Sequence, residues 1–130
     1  MTVLNFPDQP QIAVNRAELA MLCAPFRLEL FQDMAERGIG LRTVLETQRY
    51  LKQDPNLISF ISVENQLLWL IQVGILRREV DGQGITDSFR LTPLGHYLLA
   101  KWKPQGELVK PNWRDRLKNW WARWQPRKLF

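Results

Sequence analysis

The segment 74–95 constrains the fold more than any other part of the chain, because its apolar runs and glycines leave few conformations open. Residues 75–81 and 85–91 are two runs that contain strand-forming side chains, and residues 82–84 between them read Gly-Gln-Gly. A glycine-rich tip between two such runs is typical of a β-hairpin. The sequence therefore predicts a hairpin in this segment.

Helical patterns surround the hairpin. Apolar residues recur at helical spacing before it, and Thr92 and Pro93 can cap and open a helix directly after it. The predicted helices span residues 15–23, 25 to 38 or 40, 41–52, 59 or 62 to 74, 93–102 and 112–124. The expected fold is mainly α with a small β-hairpin and a C-terminal amphipathic helix. Its predicted parts are an N-terminal arm at 1–14, one domain at 15–103, and a linker with a basic helix at 104–130.

The totals favour a single cytoplasmic domain. A chain of 130 residues can bury one core without disulfides, and its single cysteine, Cys23, has no internal partner. Cys23 lies in an apolar stretch, which predicts a buried structural thiol. The first residues lack the features of a secretory signal, and no apolar run is long enough to span a bilayer. We therefore expect a cytoplasmic protein.

Charge is distributed unevenly along the chain. The formal net charge is +5, but residues 1–100 carry a balance of −2 and residues 101–130 a balance of +7. Five of the six tryptophans also lie in the last 30 residues. The chain is thus a slightly acidic body followed by a basic, Trp-rich segment, and this asymmetry bears on its partners.

Three motifs resemble those of winged helix-turn-helix proteins. Residues 74–78 (GILRR), 91–95 (LTPLG) and 24–28 (APFRL) are similar to segments of the ArsR, MarR and PadR types of bacterial regulator. The resemblance covers residues 24–103 and implies that the hairpin is a wing. The stretch 52–58 is longer than the tight turn usual in those families.

The resemblance also implies a DNA-binding surface. In those families the recognition helix, here the fourth, enters the major groove and the wing contacts phosphates. Asn and Gln side chains can pair with adenine, so base reading is chemically feasible. The residues assigned to DNA in this way are Ser62, Asn65 and Gln66 on the helix, and Arg77, Arg78 and Arg90 on the wing strands.

Two features of the fourth helix instead favour a covered face. No Lys or Arg lies between residues 52 and 77, although phosphate neutralisation supplies much of the affinity for DNA. Residues 67–73 (LLWLIQV) are apolar around almost the full helix, and such a helix is normally covered on all sides. The wing arginines can likewise pair across the hairpin with Glu79, Asp81 and Asp87.

The last predicted helix, 112–124, separates into an apolar and a basic face. So short a helix is marginal alone and has to dock. Several docking partners remain open for this helix: its own body or a dimer mate, a partner protein, a membrane surface and, through its basic residues, nucleic acid. The candidate interface residues are Trp113, Leu117, Trp120, Trp121 and Trp124, together with Trp69 of the fourth helix. The candidate basic contacts are Arg114, Lys118, Arg123, Arg127 and Lys128.

Catalytic motifs are missing from the sequence. His96 is the only histidine and has no partner at metal-ligand spacing. No phosphate-binding loop or nucleophile elbow occurs. We expect no enzyme, no metal and no cofactor. Two hypotheses remain. The resemblance favours a homodimeric winged-helix DNA-binding protein that regulates transcription; the alternative is a winged-helix interaction module, an adaptor or assembly factor that binds a partner protein, with weak membrane contact through the tail.

Overall fold

The computed structural model describes residues 11–53, 59–80, 87–108 and 113–124. These residues form a mainly helical protein with a small antiparallel sheet, which confirms the predicted fold class at that level. The helices are α1 (Gln11–Cys23), α2 (Leu28–Glu36), α3 (Leu41–Glu46), α4 (Phe60–Gln72), α5 (Pro93–Trp102) and α6 (Trp113–Trp124). The strands are β1 (Ile39–Gly40), β2 (Leu76–Val80) and β3 (Asp87–Leu91), and short 3-10 turns occupy Gln48–Tyr50 and Lys103–Gln105.

The predicted hairpin is present as β2 and β3. The two strands are antiparallel, with Leu76 opposite Leu91, and the order in the sheet is β1-β3-β2. The outer strand β1 pairs Ile39 with Phe89; at two residues it is too short to leave a signal in the sequence. The Gly-Gln-Gly tip lies outside the described residues.

Local capping follows the predicted chemistry around α4 and α5. The Ser59 side chain accepts a hydrogen bond from the Ser62 backbone N–H, so Ser59 rather than Ser62 caps α4. Gly74 ends the helix region with φ +93°, a left-handed conformation that favours glycine. The Thr92 side chain accepts from the Gly95 N–H and caps α5 as predicted.

Three predicted helix boundaries were wrong. α1 begins at Gln11, four residues before the predicted start, so residues 11–14 of the predicted arm are helical. The second helix begins at Leu28 rather than at residue 25, and the third ends at Glu46 rather than at residue 52.

Backbone pairing between distant segments explains the last two differences. Phe26 and Leu51 form an antiparallel bridge, flanked by hydrogen bonds from Arg27 N to Tyr50 O at 2.8 Å and from Lys52 N to the Pro25 carbonyl at 2.9 Å. Both segments are therefore extended where local propensity favours helix. Only tertiary contact supplies these partners.

The core lies between α1, α2, α4, α5 and the sheet. No charged or polar side chain is buried among the residues that the structure describes, so the interior is apolar throughout. Cys23, predicted as buried, is only half-buried. The largest side chains with no appreciable exposure include Tyr50, Phe26, Phe31, Met21, Leu30, Met34, Leu67 and Leu70.

Candidate binding surfaces on α4 and α6

One side of α4 is open to solvent. Ile61, Ser62, Asn65 and Leu68 are exposed on it, and Gln66 is half-buried. These positions include all three predicted base-reading residues. The opposite side of the helix packs into the core because its apolar residues are spaced to face the body. The buried positions on that side are Val63, Leu67 and Leu70.

The C-terminal half of α4 is covered beside this open side. Trp69 is only 7% exposed, and its indole Nε1 donates a hydrogen bond to Asn119 Oδ1 on α6 at 3.1 Å. Helix α6 also packs along α1. The tail helix is therefore docked on the body of its own chain, and the candidate interface residue Trp69 lies beneath it.

The orientation of α6 is the reverse of what its pattern suggests. Asn119 and Ala122 are partly buried on the side that faces the body. Leu117, Trp120 and Trp121 remain 55%, 54% and 61% exposed. These three described residues of the apolar stripe thus face mainly outward, away from the side on which Asn119 and Ala122 meet the body.

Several tail residues fall outside this description. The structure places the backbone of Trp113, Arg123 and Trp124 in α6 but does not describe their side chains. Arg127 and Lys128 lie outside the described residues altogether. Arg114 and Lys118 are exposed on α6.

The wing arginines contact groups of their own chain. Glu79 forms ion pairs with Arg77 at 3.3 Å and with Arg90 at 3.5 Å. Arg90 also donates to the Glu36 carbonyl at 3.0 Å. The guanidinium of Arg78 lies 5.5 Å from the centre of the Phe89 ring. Pairing across the hairpin, one of the two interpretations of these arginines, is present for Arg90, whereas Arg77 pairs with Glu79 on its own strand.

A group of cations lies near the start of α2. The amino group of Lys52 donates to the Leu22 carbonyl at 2.9 Å, and Arg27 Nε donates to the Leu51 carbonyl at 3.1 Å. Burial of the amino group lowers the pKa of Lys52, and the nearby charges of Arg116 and Arg27 lower it further, whereas Cys23 opposes the change. Arg27 and Arg116 therefore each lie near Lys52, and these three residues are here called the cation cluster.

A family model described as Npun_F0494-like matches residues 7–123. The chain belongs to the Npun_F0494-like family. Comparisons with curated proteins and with solved structures gave no match. The matched region begins before α1 and reaches nearly to the end of α6, whereas the resemblance to bacterial regulators covers residues 24–103. Both the first and the last helix are therefore part of the domain of this Npun_F0494-like chain.

Neither a metal site nor a membrane span is found in the described ranges. No group of three or more His, Cys, Asp or Glu residues there has the geometry to hold a metal ion. No helix in those ranges is long and apolar enough to cross a bilayer. His96 is exposed on α5.

Sequence reasoning missed the polar contacts that hold the outer helices. Asn119 was not among the candidate residues of the tail helix, yet it accepts a hydrogen bond from Trp69. Glu18 on α1 accepts from Trp102 Nε1 at 3.0 Å and pairs with Lys101 at 2.6 Å. Each contact joins residues 50 or more positions apart, and no local pattern marks them.

Proposed function

We propose that this chain is a non-enzymatic protein-interaction module on a winged-helix scaffold, with the open side of α4 as its binding surface. The succession of α2, α3, α4, the β2–β3 hairpin and α5 supports this scaffold, because it is the order that the winged-helix resemblance implies. In this arrangement α4 occupies the position of the recognition helix. A shared scaffold leaves the ligand open, so the ligand has to be argued from the surface itself.

The composition of the open side of α4 carries the proposal. Phe60, Ile61 and Leu68 are exposed on this helix, and α4 contains no Lys or Arg at all. An exposed apolar patch depleted of charge is typical of the centre of a protein interface. A DNA-binding helix gains affinity from neutralised phosphates, which this helix does not supply.

The nearest arginines do not compensate for this lack of charge. Arg77 and Arg90 are both paired with Glu79, so their interaction with a phosphate competes with an existing ion pair. The docked α6 narrows the approach to α4 further, because it covers Trp69. These contacts favour a protein partner, either a second copy of the chain or a different protein.

A DNA-binding regulator is the second candidate. The exposure of Ser62 and Asn65 in the N-terminal half of α4 favours it, because both can hydrogen-bond to base edges. In this case Gln66 and the wing arginines would join them. The two candidates place different residues at the contact, and they are separable by substitution.

Photo-crosslinking in the native host tests the protein-interaction proposal. A benzophenone amino acid at position 68 is expected to trap one protein, either a second copy or a different chain, and the same probe at exposed position 96 is not. The trapped protein, once purified, should bind the chain at least about tenfold more weakly when Ile61→Asp is introduced, because a charge would be buried at the interface centre. Ile12→Asp is the matched control, since Ile12 is 81% exposed on α1.

DNA binding is measured in parallel by fluorescence anisotropy across a salt series. We expect no sequence-specific binding by the full chain at low salt. Two results together would overturn the protein-interaction proposal in favour of the regulator. The first is specific DNA binding that Asn65→Ala and Gln66→Ala abolish. The second is crosslinking from position 68 that is the same in the Ile61→Asp variant as in the native chain.

A further inference from the structure

The outward apolar side of α6 has no partner within the described part of the chain. An amphipathic helix normally buries its apolar side against the protein. Here the polar Asn119 and the small Ala122 face the body instead, and Leu117, Trp120 and Trp121 are each more than half exposed. Keeping two tryptophans in water is unfavourable, so this side is suited to a surface outside the chain.

Basic residues border the apolar side along both edges. On a helical wheel drawn at 100° per residue, Arg114 and Lys118 lie beside Trp121 at one edge of the apolar side. Arg116 lies beside Trp120 at the other edge. All three cations are exposed. An apolar strip flanked by cations is the pattern of helices that lie flat in a bilayer interface, where Trp rings occupy the headgroup region and Arg and Lys stems reach up to it.

The cation cluster extends one of these edges onto the body. Arg116 and Arg27 each lie close enough to Lys52 for their charges to disfavour its protonated form, and none of the three forms an ion pair within the described part of the chain. Like charges held together are stabilised by an anion between them. Glu29 and Glu107 line the same cleft as Arg27 and Lys52, so the formal charges of its lining cancel, and Arg116 on α6 supplies the additional positive charge beside Lys52.

We propose that α6 is a membrane-surface helix: Leu117, Trp120 and Trp121 enter the interface of an anionic bilayer, and the cation cluster binds headgroup phosphates. This goes beyond the protein-interaction role of α4, because it uses another face of the molecule and another class of partner. The charge of this region favours lipid over protein as the partner of α6. Residues 101–130 carry a net charge of +7, and an anionic leaflet attracts each cation near its surface.

The docking of α6 makes such binding feasible for a short helix. A free 12-residue helix would pay the cost of folding on the membrane, whereas this one is held by α1 and by the Trp69–Asn119 hydrogen bond. Its length of about 18 Å suits a helix lying parallel to the surface, at 1.5 Å per residue. Attachment of this kind is reversible, because one short apolar strip and a few cations supply it.

Vesicle flotation of the full chain tests the proposal. Phosphatidylcholine vesicles that contain phosphatidylglycerol are expected to carry the protein to the top of the gradient and to shift its tryptophan emission to the blue. Vesicles of phosphatidylcholine alone should bind it much more weakly, and added salt should weaken the binding to the anionic vesicles.

Substitutions at exposed positions locate the contact without unfolding the chain. The pair Trp120→Ser and Trp121→Ser should weaken binding at least about tenfold, because two interfacial anchors are lost. Its matched control is the pair Ile61→Ser and Leu68→Ser on α4, with binding unchanged. Arg116→Gln should weaken binding about fivefold. Its control is Arg42→Gln, whose side chain is 85% exposed on α3. Circular dichroism and the melting temperature check that each variant is folded.

Three outcomes would overturn the proposal. They are the absence of binding to anionic vesicles at low salt, equal binding to neutral vesicles, and equal loss of binding in the α4 control pair. A crosslinker at position 120 that traps a protein in cells, together with no vesicle binding, would assign the face to a protein instead. If the vesicle experiment fails, the α4 crosslinking result still stands, because Ile61 and Leu68 enter the vesicle experiment only as controls.

Discussion

The indole of Trp69 on α4 donates its hydrogen bond to the side chain of Asn119, 50 positions away on α6. This contact holds together the two helices that carry the candidate binding surfaces. It closes one end of the α4 surface and, because Asn119 faces inward, it turns the apolar stripe of α6 outward. The arrangement of both surfaces therefore depends on this pair of side chains together with the packing of α6 along α1.

Removal of that hydrogen bond should loosen α6. Trp69→Phe keeps an aromatic ring in the buried site but deletes the donor, so we expect a loss of about 1 kcal/mol in the free energy of unfolding. Amides of residues 113–124 should exchange faster with deuterium. The control is Ile61→Val, an exposed change on the same helix, with an effect within about 0.5 kcal/mol. Unchanged exchange in α6 would show that the hydrogen bond does not hold it.

Asp33 and Tyr50 give stability a dependence on acid pH. The Tyr50 hydroxyl donates to Asp33 Oδ2, and this bond is the main reason that the pKa of Asp33 lies below its ordinary value of 3.8; Arg37 and Arg49 act in the same direction, and desolvation opposes them. A depressed carboxyl pKa contributes stability that is present above pH 3.8 and is lost as the pH falls through the lower value in the folded protein.

Tyr50→Phe should therefore raise the pKa of Asp33 toward 3.8. The increase in the free energy of unfolding as the pH rises from the folded-state pKa of Asp33 to 3.8 should then be smaller. At neutral pH we expect the variant to be less stable by about 1 kcal/mol. Carboxyl carbon shifts in a pH titration by NMR measure the pKa. Tyr97→Phe on α5 is the matched control and should leave the Asp33 titration where it is. The prediction fails if both variants titrate alike.

Glu18 should contribute more as a hydrogen-bond acceptor than as a charge. Its Oε2 contacts Trp102 Nε1 at 3.0 Å and Lys101 Nζ at 2.6 Å, so it links α1 to α5. Glu18→Ala leaves the Trp102 donor without its partner and should cost about 1–2 kcal/mol, whereas Glu18→Gln should recover most of that loss, since Lys101 is half exposed and a surface ion pair contributes little. Urea unfolding measures the loss in the free energy of unfolding for the two variants. Equal losses would contradict the role of Glu18 as a hydrogen-bond acceptor.

Gly95 is required by close packing rather than by backbone conformation. A Cβ at this position would lie 2.5 Å from the Ile75 carbonyl oxygen and 2.7 Å from Leu91 Cδ1. Gly95→Ala should therefore cost about 1–3 kcal/mol, despite the better helix propensity of alanine. The neighbouring exposed change His96→Ala should stay within about 0.5 kcal/mol in the same thermal unfolding measurement. A stabilised Gly95→Ala variant would refute the packing argument.

Local chemistry in the sequence determined most of the secondary structure. The hairpin, the Ser59 and Thr92 caps and the glycine after α4 were predictable because each depends on residues within a few positions of one another. The mainly α class followed from helical periodicity in the same way. The amphipathic character of α6 was equally readable, since a helical wheel needs only local order.

Tertiary structure alone decided where these elements face. The bridge between Phe26 and Leu51 shortened two predicted helices, and Glu79 brought Arg77 and Arg90 together on the sheet. The outward turn of the α6 stripe could not be predicted, because periodicity defines which residues share a face and not what that face meets. The opposite side is buried by α1 and by Trp69, which only the folded chain brings into contact with α6.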